Sequence, residues 1–290
     1  MAEIERITGH THLVGLIANP IRHSQSPAMH NASFAQQGVD AAYIVFETEP
    51  EDLPYVVEAF KRTGVDGYNV SMPNKMAIGQ YLDELTDAAR LMGAVNCVVN
   101  KDGKSTGHNT DGAGFMRNLK ECGFECKGKK MVLMGAGGAG SAIFVQAALD
   151  GMAQIDIFNA KDAFFDGAVE RAAKVSAETG CVINVHDLED KATLKECCEN
   201  ADVLVNASKV GMKPLDDQSL IPAEYIKPGV FVADTVYNPQ ETLLIKTAKE
   251  LGNPVAPGIG MMLWQGAIGE KLWYDIDMDI DYIRDIVTEK

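Results

Sequence analysis

The sequence predicts an α/β protein built as two successive domains, and three observations carry that prediction. Short apolar runs alternate with longer amphipathic stretches almost from end to end. The pattern runs its course once and starts again near Lys129. The chain has 290 residues, 46% of them hydrophobic, enough to bury one large core or two moderate ones.

Taken in order, residues 13–18, 42–46 and 67–70 read as strands, with helices over 26–37 and 51–62 between them. Pro27 suits the first helical position after Ser26, where its missing N–H is not needed. In the second half, residues 130–134 read as a strand, followed by a glycine-rich turn and a helix over 141–149. A strand over 154–158 leads to a helix over 163–178 with an apolar stripe. Residues 182–185, 203–206 and 230–233 read as further strands, and 188–199 and 240–251 as helices. Such alternation argues for largely parallel sheets. Residues 261–290 read as helical, with Trp264, Leu272 and Trp273 on apolar positions, and are expected to pack back onto the first domain. The boundary falls in the helix over 112–122. This gives a first domain of residues 1–115, completed by 261–290, and a second of 116–260. A cleft between two such domains is a common place for a ligand.

Composition narrows the function. There are 41 acidic and 26 basic residues, a net charge of −15, whereas nucleic acid and anionic membrane surfaces need a basic face. Neither is expected as a partner. The six cysteines form no C-x-x-C pair and stand at no zinc-finger spacing from a histidine, so they read as buried thiols of a reducing compartment. His10, His12, His23, His30, His108 and His186 show no ligand spacing, so structural roles and no metal are expected. The charged start at residues 1–12 lacks a signal-peptide core, and no apolar run reaches transmembrane length, so a cytoplasmic location is expected.

Gly135-Ala136-Gly137-Gly138-Ala139-Gly140 fits G-x-G-x-x-G in the context that makes the pattern informative: a strand before it, a helix after it, another strand beyond. The first glycine permits the tight turn, the second lets backbone approach a pyrophosphate, and the third lets helix and strand pack closely. The helix N-terminus offers free N–H groups to phosphate. The second domain is therefore expected to be of the Rossmann type and to bind a dinucleotide. The next strand runs into Asn159-Ala160-Lys161-Asp162. Asp162 stands where an acidic side chain can hold both ribose hydroxyls, although it could equally cap the helix that follows. A 2′-phosphate would call for arginine here; Ala160 is neutral and Lys161 only a point charge. NAD is favoured, with NADP possible.

Three segments of the first half hold more polar groups than a core needs: residues 19–27 with Ser24 and Ser26, residues 69–75 from Asn69 to Lys75, and residues 107–112 ending on Asp111-Gly112. Taken singly, Ser26 could be an N-cap, Lys75 a solvated surface group and Asp111 a helix cap. Residues past the carboxyl ends of strands face the ligand crevice of an α/β sheet, which gives them a shared location.

Together these segments resemble the shikimate dehydrogenase family. Gly15–Pro20 with the Ser24/Ser26 pair is similar to the family's opening motif, and residues 69–75 to N-V-[TS]-x-P-x-K. Residues 93–96 resemble G-A-V-N, 109–112 N-T-D-G, and 206–212 N-[AG]-[TS]-x-x-G-M. Val236-Tyr237-Asn238-Pro239 and residues 262–267 complete the series, which spans 13–273. The resemblance implies a dehydrogenase interconverting shikimate and 3-dehydroshikimate, with Lys75 and Asp111 as catalytic pair. Lysine in water is a poor base at neutral pH; burial weakens its hold on the proton and a neighbouring carboxylate strengthens it, so such a pair acts as one coupled unit. By the same resemblance Ser24 and Ser26 would hold the substrate carboxylate with Tyr237 nearby, and Asn69, Ser71, Asn96 and Gln265 the ring hydroxyls. Ala136, Gly137, Gly138 and Ala139 would contact pyrophosphate, and Asn159, Ala160, Lys161 and Asp162 the adenine ribose. Lys209, Thr235, Val236, Tyr237, Asn238 and Gly258 would line the path to the nicotinamide, with Met261 against its ring.

Two departures point within the family. Members that use NADP and are specific for shikimate carry Asn-Arg-Thr where this chain has Asn159-Ala160-Lys161, and threonine where it has Ser71. Both changes resemble the quinate/shikimate branch, and the smaller Ser71 leaves room for quinate's extra hydroxyl. The alternatives are a strict NADP-linked shikimate dehydrogenase and a ligand-sensing relative without turnover. The expected partner is a small acid of the shikimate/quinate class, with the chain acting as monomer or homodimer.

Overall fold

The computed structural model describes residues 7–163 and 165–288; the first six residues, Phe164 and the last two residues of the expected C-terminal helix lie outside the described residues. The chain divides into two compact units, Met1–Thr110 with Gly266–Lys290, and Asp111–Gln265. The division falls a few residues from the expected 115/116 and 260/261. The reason is local: a Cβ on Gly112 would lie 2.3 Å from the Ala142 carbonyl oxygen, and one on Gly114 2.6 Å from the Gln265 nitrogen, so this stretch packs within the second unit.

The first unit contains β1 (His12–Ala18), α1 (Ser26–Gln37), β2 (Ala41–Glu47), α2 (Leu53–Thr63), β3 (Val65–Val70), β4 (Glu84–Leu85), α3 (Asp87–Met92), β5 (Cys97–Lys101) and β6 (Lys104–His108). Its sheet runs β2-β1-β3-β5-β6-β4. β1 pairs in parallel with β2 and β3, while β3–β5 and β5–β6 are antiparallel, so this sheet is only partly parallel. Successive residues of a strand face opposite sides, and β1 shows it. Val14, Leu16 and Ala18 join Phe34 and Tyr43 in one core, whereas Ile17 joins Leu53, Tyr68 and Val98 in the other. The β5–β6 hairpin turns on Asp102-Gly103, both at positive φ (52° and 75°), the geometry of the two-residue turns that match strand twist.

The second unit begins at the first turn of α4 (Thr110–Glu121). It continues through β7 (Lys130–Met134), α5 (Gly138–Leu149), β8 (Gln154–Asn159), α6 (Phe165–Thr179), β9 (Val182–Asp187), α7 (Lys191–Asn200), β10 (Val203–Asn206), β11 (Phe231–Asp234), α8 (Leu243–Glu250) and β12 (Val255–Ala256). All its strands pair in parallel in the order β12-β11-β10-β7-β8-β9. Read from β9, this is the 3-2-1-4-5-6 arrangement of the doubly wound dinucleotide-binding fold, whose order reverses at β7 and β10. The mixed α/β architecture with a Rossmann-type half is therefore as predicted.

The C-terminal helices are α9 (Ile259–Tyr274) and α10 (Ile280–Thr288). From Gly266 onward they complete the first unit: Trp273 Nε1 donates to the Val98 carbonyl (3.0 Å), and Trp273, Tyr274 and Ile276 pack on the core around Phe34 and Tyr43. One capping assignment changes: the N-cap of α1 is Gln25, and Ser26 is inside the helix, its N–H donated to Ser24 Oγ (3.2 Å). Among the described residues no helix is long and apolar enough to cross a membrane.

Candidate active site

In the first unit the polar segments converge because β1 and β3 are neighbours and β3 pairs with β5. Asn69, near the end of β3, stands opposite Leu16 and Cys97. It is buried, its Nδ2 donating to the Asn96 carbonyl (3.1 Å) and its Oδ1 accepting from the Tyr43 hydroxyl (2.7 Å). Tyr43 also hydrogen-bonds the Ser26 side chain. Burial pushes the Tyr43 phenol well above its ordinary range, as does charge at Cys97, with the Ser26 hydrogen bond acting the other way; it stays a hydroxyl donor at any physiological pH. Ser26, Tyr43, Asn69 and Asn96 thus form one connected polar group. Ser24 joins it through Ser26, and Ser71 is fixed by its N–H to the Ile17 carbonyl (3.1 Å).

Lys75 and Asp111 hang from the same short segment. The Lys75 carbonyl accepts the Val95 N–H (2.8 Å). The next residue, Asn96, accepts the Thr110 N–H on Oδ1 (2.6 Å) and donates Nδ2 to Thr110 Oγ1 (2.9 Å), immediately before Asp111. Two unrelated stretches are in this way tied to Val95–Asn96, with both candidate side chains half-buried. The neighbouring His108 is held below its usual pKa by burial alone, which keeps a second positive charge away.

Beneath this group lies a layer that sequence reasoning missed. His30 stacks on Tyr43 with ring centroids 4.4 Å apart, and its Nδ1 meets Glu270 Oε1 at 2.7 Å. Ser33 donates to Glu270 Oε2 (2.6 Å), and all three side chains are buried. Glu270 comes from α9, so no sequence spacing could link it to His30. Tyr43 lies inside a run that reads as ordinary strand core and gave no local signal.

In the second unit, the glycine turn leaves the carboxyl end of β7. Gly135 has φ 100°, and a Cβ on Gly140 would lie 2.0 Å from the Gly135 carbonyl oxygen, so neither tolerates a side chain. Gly137 and Gly138 differ: a Cβ there would meet nothing within 4 Å, leaving their backbone accessible at the start of α5. That space and the free N–H groups of a helix start fit a pyrophosphate. Ser141 Oγ closes the turn on the Ala136 carbonyl (3.0 Å) and accepts from Arg171 Nη1 (3.1 Å). Ala139 is half-buried in the first turn of α5.

The end of β8 is joined to this turn. Asn159 Oδ1 accepts the Ala136 N–H (2.9 Å), and its Nδ2 reaches Asp162 Oδ1 (3.4 Å). Lys161 is paired with Asp187 at the end of β9 (3.4 Å), and Ala160 is exposed beside it. Further along the sheet, Thr235, Val236, Tyr237 and Asn238 line a pocket of about 310 Å³ with Ser208, Met212 and Lys213; Lys209 adjoins Ser208. Gly258 lies against this segment, since its Cβ would be 2.4 Å from the Val236 carbonyl oxygen, and Met261 N–H bonds the Gly258 carbonyl (3.1 Å). Gln265 is half-buried on α9, its Nε2 donating to the Met262 carbonyl (3.0 Å).

Asp234 anchors the pocket wall. Fully buried, it accepts from Asn206 Nδ2 (2.9 Å), the Val236 N–H (2.9 Å) and Thr242 Oγ1 (2.7 Å). Burial outweighs these donors and pushes its carboxyl up to about 6. Among the described residues, the expectation that no histidine takes part in a metal-capable group meets one exception. Asp156, His186 and Cys197 come together from β8, β9 and α7, a grouping visible only once the sheet is assembled.

A family model described as the shikimate dehydrogenase substrate binding domain matches residues 16–98. The shikimate dehydrogenase (NADP(+)) of Listeria monocytogenes serotype 4b (strain F2365) is 49% identical over 284 residues, covering 98% of either chain. The quinate/shikimate dehydrogenase of Escherichia coli (strain SMS-3-5 / SECEC) is 44% identical over 282 residues, 97% of this chain and 98% of that one. The crystal structure of shikimate 5-dehydrogenase from Listeria monocytogenes in complex with shikimate and NAD matches with a TM-score of 0.94 at 49% identity, covering 98% of each chain. Identity of this level over nearly the whole length, on the same fold and with the motifs in the same order, means that the chain belongs to the shikimate dehydrogenase family.

Proposed function

We propose that this chain is an NAD(P)-dependent dehydrogenase that interconverts shikimate and 3-dehydroshikimate, and quinate and 3-dehydroquinate. The observation that carries the reading is the connected group Ser26–Tyr43–Asn69–Asn96, with Lys75 and Asp111 both tethered to Val95–Asn96. A polyhydroxylated acid needs several fixed donors and acceptors around one reactive hydroxyl, and such a site rejects analogues that leave its buried polar groups unpaired.

In this reading the first unit takes the acid and the second the cofactor. Ser24 and Ser26 hold the carboxylate with Tyr237, and Asn69, Ser71, Asn96 and Gln265 hold the ring hydroxyls. When bound, the nicotinamide supplies or accepts the hydride. Lys75 moves the proton: it takes it from the C3 hydroxyl oxygen on oxidation and returns it to the alkoxide on reduction. Asp111 accepts a hydrogen bond from the Lys75 side chain and so orients it toward that hydroxyl. Ala136 to Ala139 cradle the pyrophosphate, Asn159 to Asp162 face the adenine ribose, and Lys209, Thr235 to Asn238, Gly258 and Met261 flank the nicotinamide.

NAD is the preferred cofactor in this reading. Ala160 offers a 2′-phosphate nothing, Lys161 is engaged by Asp187, and the Asp162 carboxylate lies beside Asn159, adding negative charge to this stretch. The test is a nicotinamide absorbance assay with shikimate or quinate against NAD or NADP. NAD-linked oxidation of both acids is expected, and Asp162→Ala should weaken NAD more than NADP. Robust NADP-linked shikimate oxidation without NAD-linked quinate oxidation would instead make this a strict biosynthetic shikimate dehydrogenase. Shikimate binding without any absorbance change would make it a ligand sensor.

A further inference from the structure

Asp156 lies in the middle of β8, 5% exposed, level with Val132 of β7 and Asn184 of β9. His186 is two residues beyond Asn184 and so shares its sheet face. Cys197 descends on that face from α7. One ligand atom from each of the three, a carboxylate oxygen, an imidazole nitrogen and a thiol sulfur, lies within 4.8 Å of the others, and Asp156 Oδ1 is 3.0 Å from His186 Nε2. We propose that Asp156, His186 and Cys197 form a site for one divalent ion of the zinc class, separate from the glycine turn and from the substrate group.

Three features favour an ion here over a simple ion pair. Tetrahedral zinc with ligands at about 2.0–2.3 Å separates its donor atoms by roughly 3–4 Å, so the cluster needs only small side-chain rotations to close on a metal. The carboxylate is already oriented from outside, with Asn184 Nδ2 on Oδ1 (2.9 Å) and Gln154 Nε2 on Oδ2 (2.7 Å), while His186 is stacked on Phe158 (4.8 Å, 23°). A pocket of about 350 Å³ opens on the cluster, lined by Asp156, Cys197, Gln154, Glu196 and Asn200, which leaves room for water as the fourth ligand.

The ligand set selects the ion. Thiolate, imidazole and carboxylate together suit zinc or cobalt, whereas magnesium and calcium take oxygen ligands. On metal binding the sulfur–metal bond forms as the thiol proton leaves to solvent. The bound ion would clip β8, β9 and α7 together and stabilise the second unit by mass action.

The test uses the full chain stripped with a chelator. Titration with Co²⁺ should give one four-coordinate site per chain with a thiolate-to-cobalt charge-transfer band, bleached by added Zn²⁺. Zn²⁺ at about a hundredfold its dissociation constant should raise the melting temperature by roughly 5–10 °C. Cys197→Ser and His186→Asn should each lose the band and the thermal gain, with shikimate turnover unchanged, while Cys122→Ser, at an exposed thiol, should keep both. Because a variant at a packed position can fail to fold, the unaltered chain supplies a second readout: Zn²⁺ should protect Cys197 alone from alkylation. Cobalt binding without the charge-transfer band, a thermal gain retained in both variants, or protection at another cysteine would overturn the proposal.

Discussion

In the proposed mechanism, removing the Lys75 amine leaves the reacting hydroxyl without its proton acceptor. Lys75→Ala should lower turnover at least ~10²-fold, the usual scale for a positioned acid–base group, and Asp111→Asn should cost a comparable factor. Stopped assays on variants with unaltered circular dichroism check this; near-normal turnover in either would reassign the pair. Tyr43 is the residue whose importance the geometry adds. Its hydroxyl is the donor on Asn69 Oδ1, so Tyr43→Phe leaves a buried acceptor unmatched, at about 1–3 kcal/mol, and frees the amide proposed to face the ring hydroxyls. A KM for the acid raised roughly tenfold, with a smaller change in kcat, is expected on that scale. An unchanged KM together with lowered stability in urea would confine Tyr43 to the core.

At the scale of elements, the glycine turn separates two roles that a motif match merges. Gly140→Ala would drive a methyl to 2.0 Å from the Gly135 carbonyl oxygen, so the helix must move off the strand. Gly137→Ala meets open space, so the fold should stand while the methyl occupies the space proposed for the pyrophosphate. Thermal melts should therefore drop for Gly140→Ala and stay put for Gly137→Ala. NAD(P) KM should rise tenfold or more in the latter, the scale of losing one close phosphate contact at about 1.4 kcal/mol. Equal melts would remove the distinction. The same scale shows what sequence reading reaches. β7, the turn and β8 were legible because an apolar run, four glycines within six residues and a second run follow one another. The β5–β6 hairpin has a turn signal in Asp102-Gly103, but the polar strand Lys104–His108 gives no apolar alternation beside it. The strands β4 and β12, two residues each, are too short for any periodicity. His30–Glu270 and Asp156–His186–Cys197 were invisible for another reason: assembly of the chain, not spacing along it, makes them neighbours.

For the molecule as a whole, Asp234 sets a pH dependence of stability. Its carboxyl, raised to about 6 by burial from an ordinary 3.8, keeps its proton in the folded chain where the unfolded chain has released it. The folded state binds more protons in that window, so this contribution is complete below the unfolded value and is lost as pH rises through about 6, at up to about 1.4 kcal/mol per pH unit. Asp234→Asn cannot titrate. Urea unfolding of both proteins from pH 4 to 6 should show the unaltered chain losing ground steadily against the variant; a constant difference would place the proton elsewhere. The division of the chain has a consequence for its synthesis. The second unit is continuous, Asp111–Gln265, whereas the first needs Glu270 beneath His30 and Trp273 against Val98. On the ribosome, order of manufacture and order of completion are therefore reversed. The half made second can finish while the half made first still waits, its Phe34 and Tyr43 face uncovered, for the last stretch of chain to emerge. A stop codon placed directly after Gln265 would spare the later-made half and ruin the one translated first.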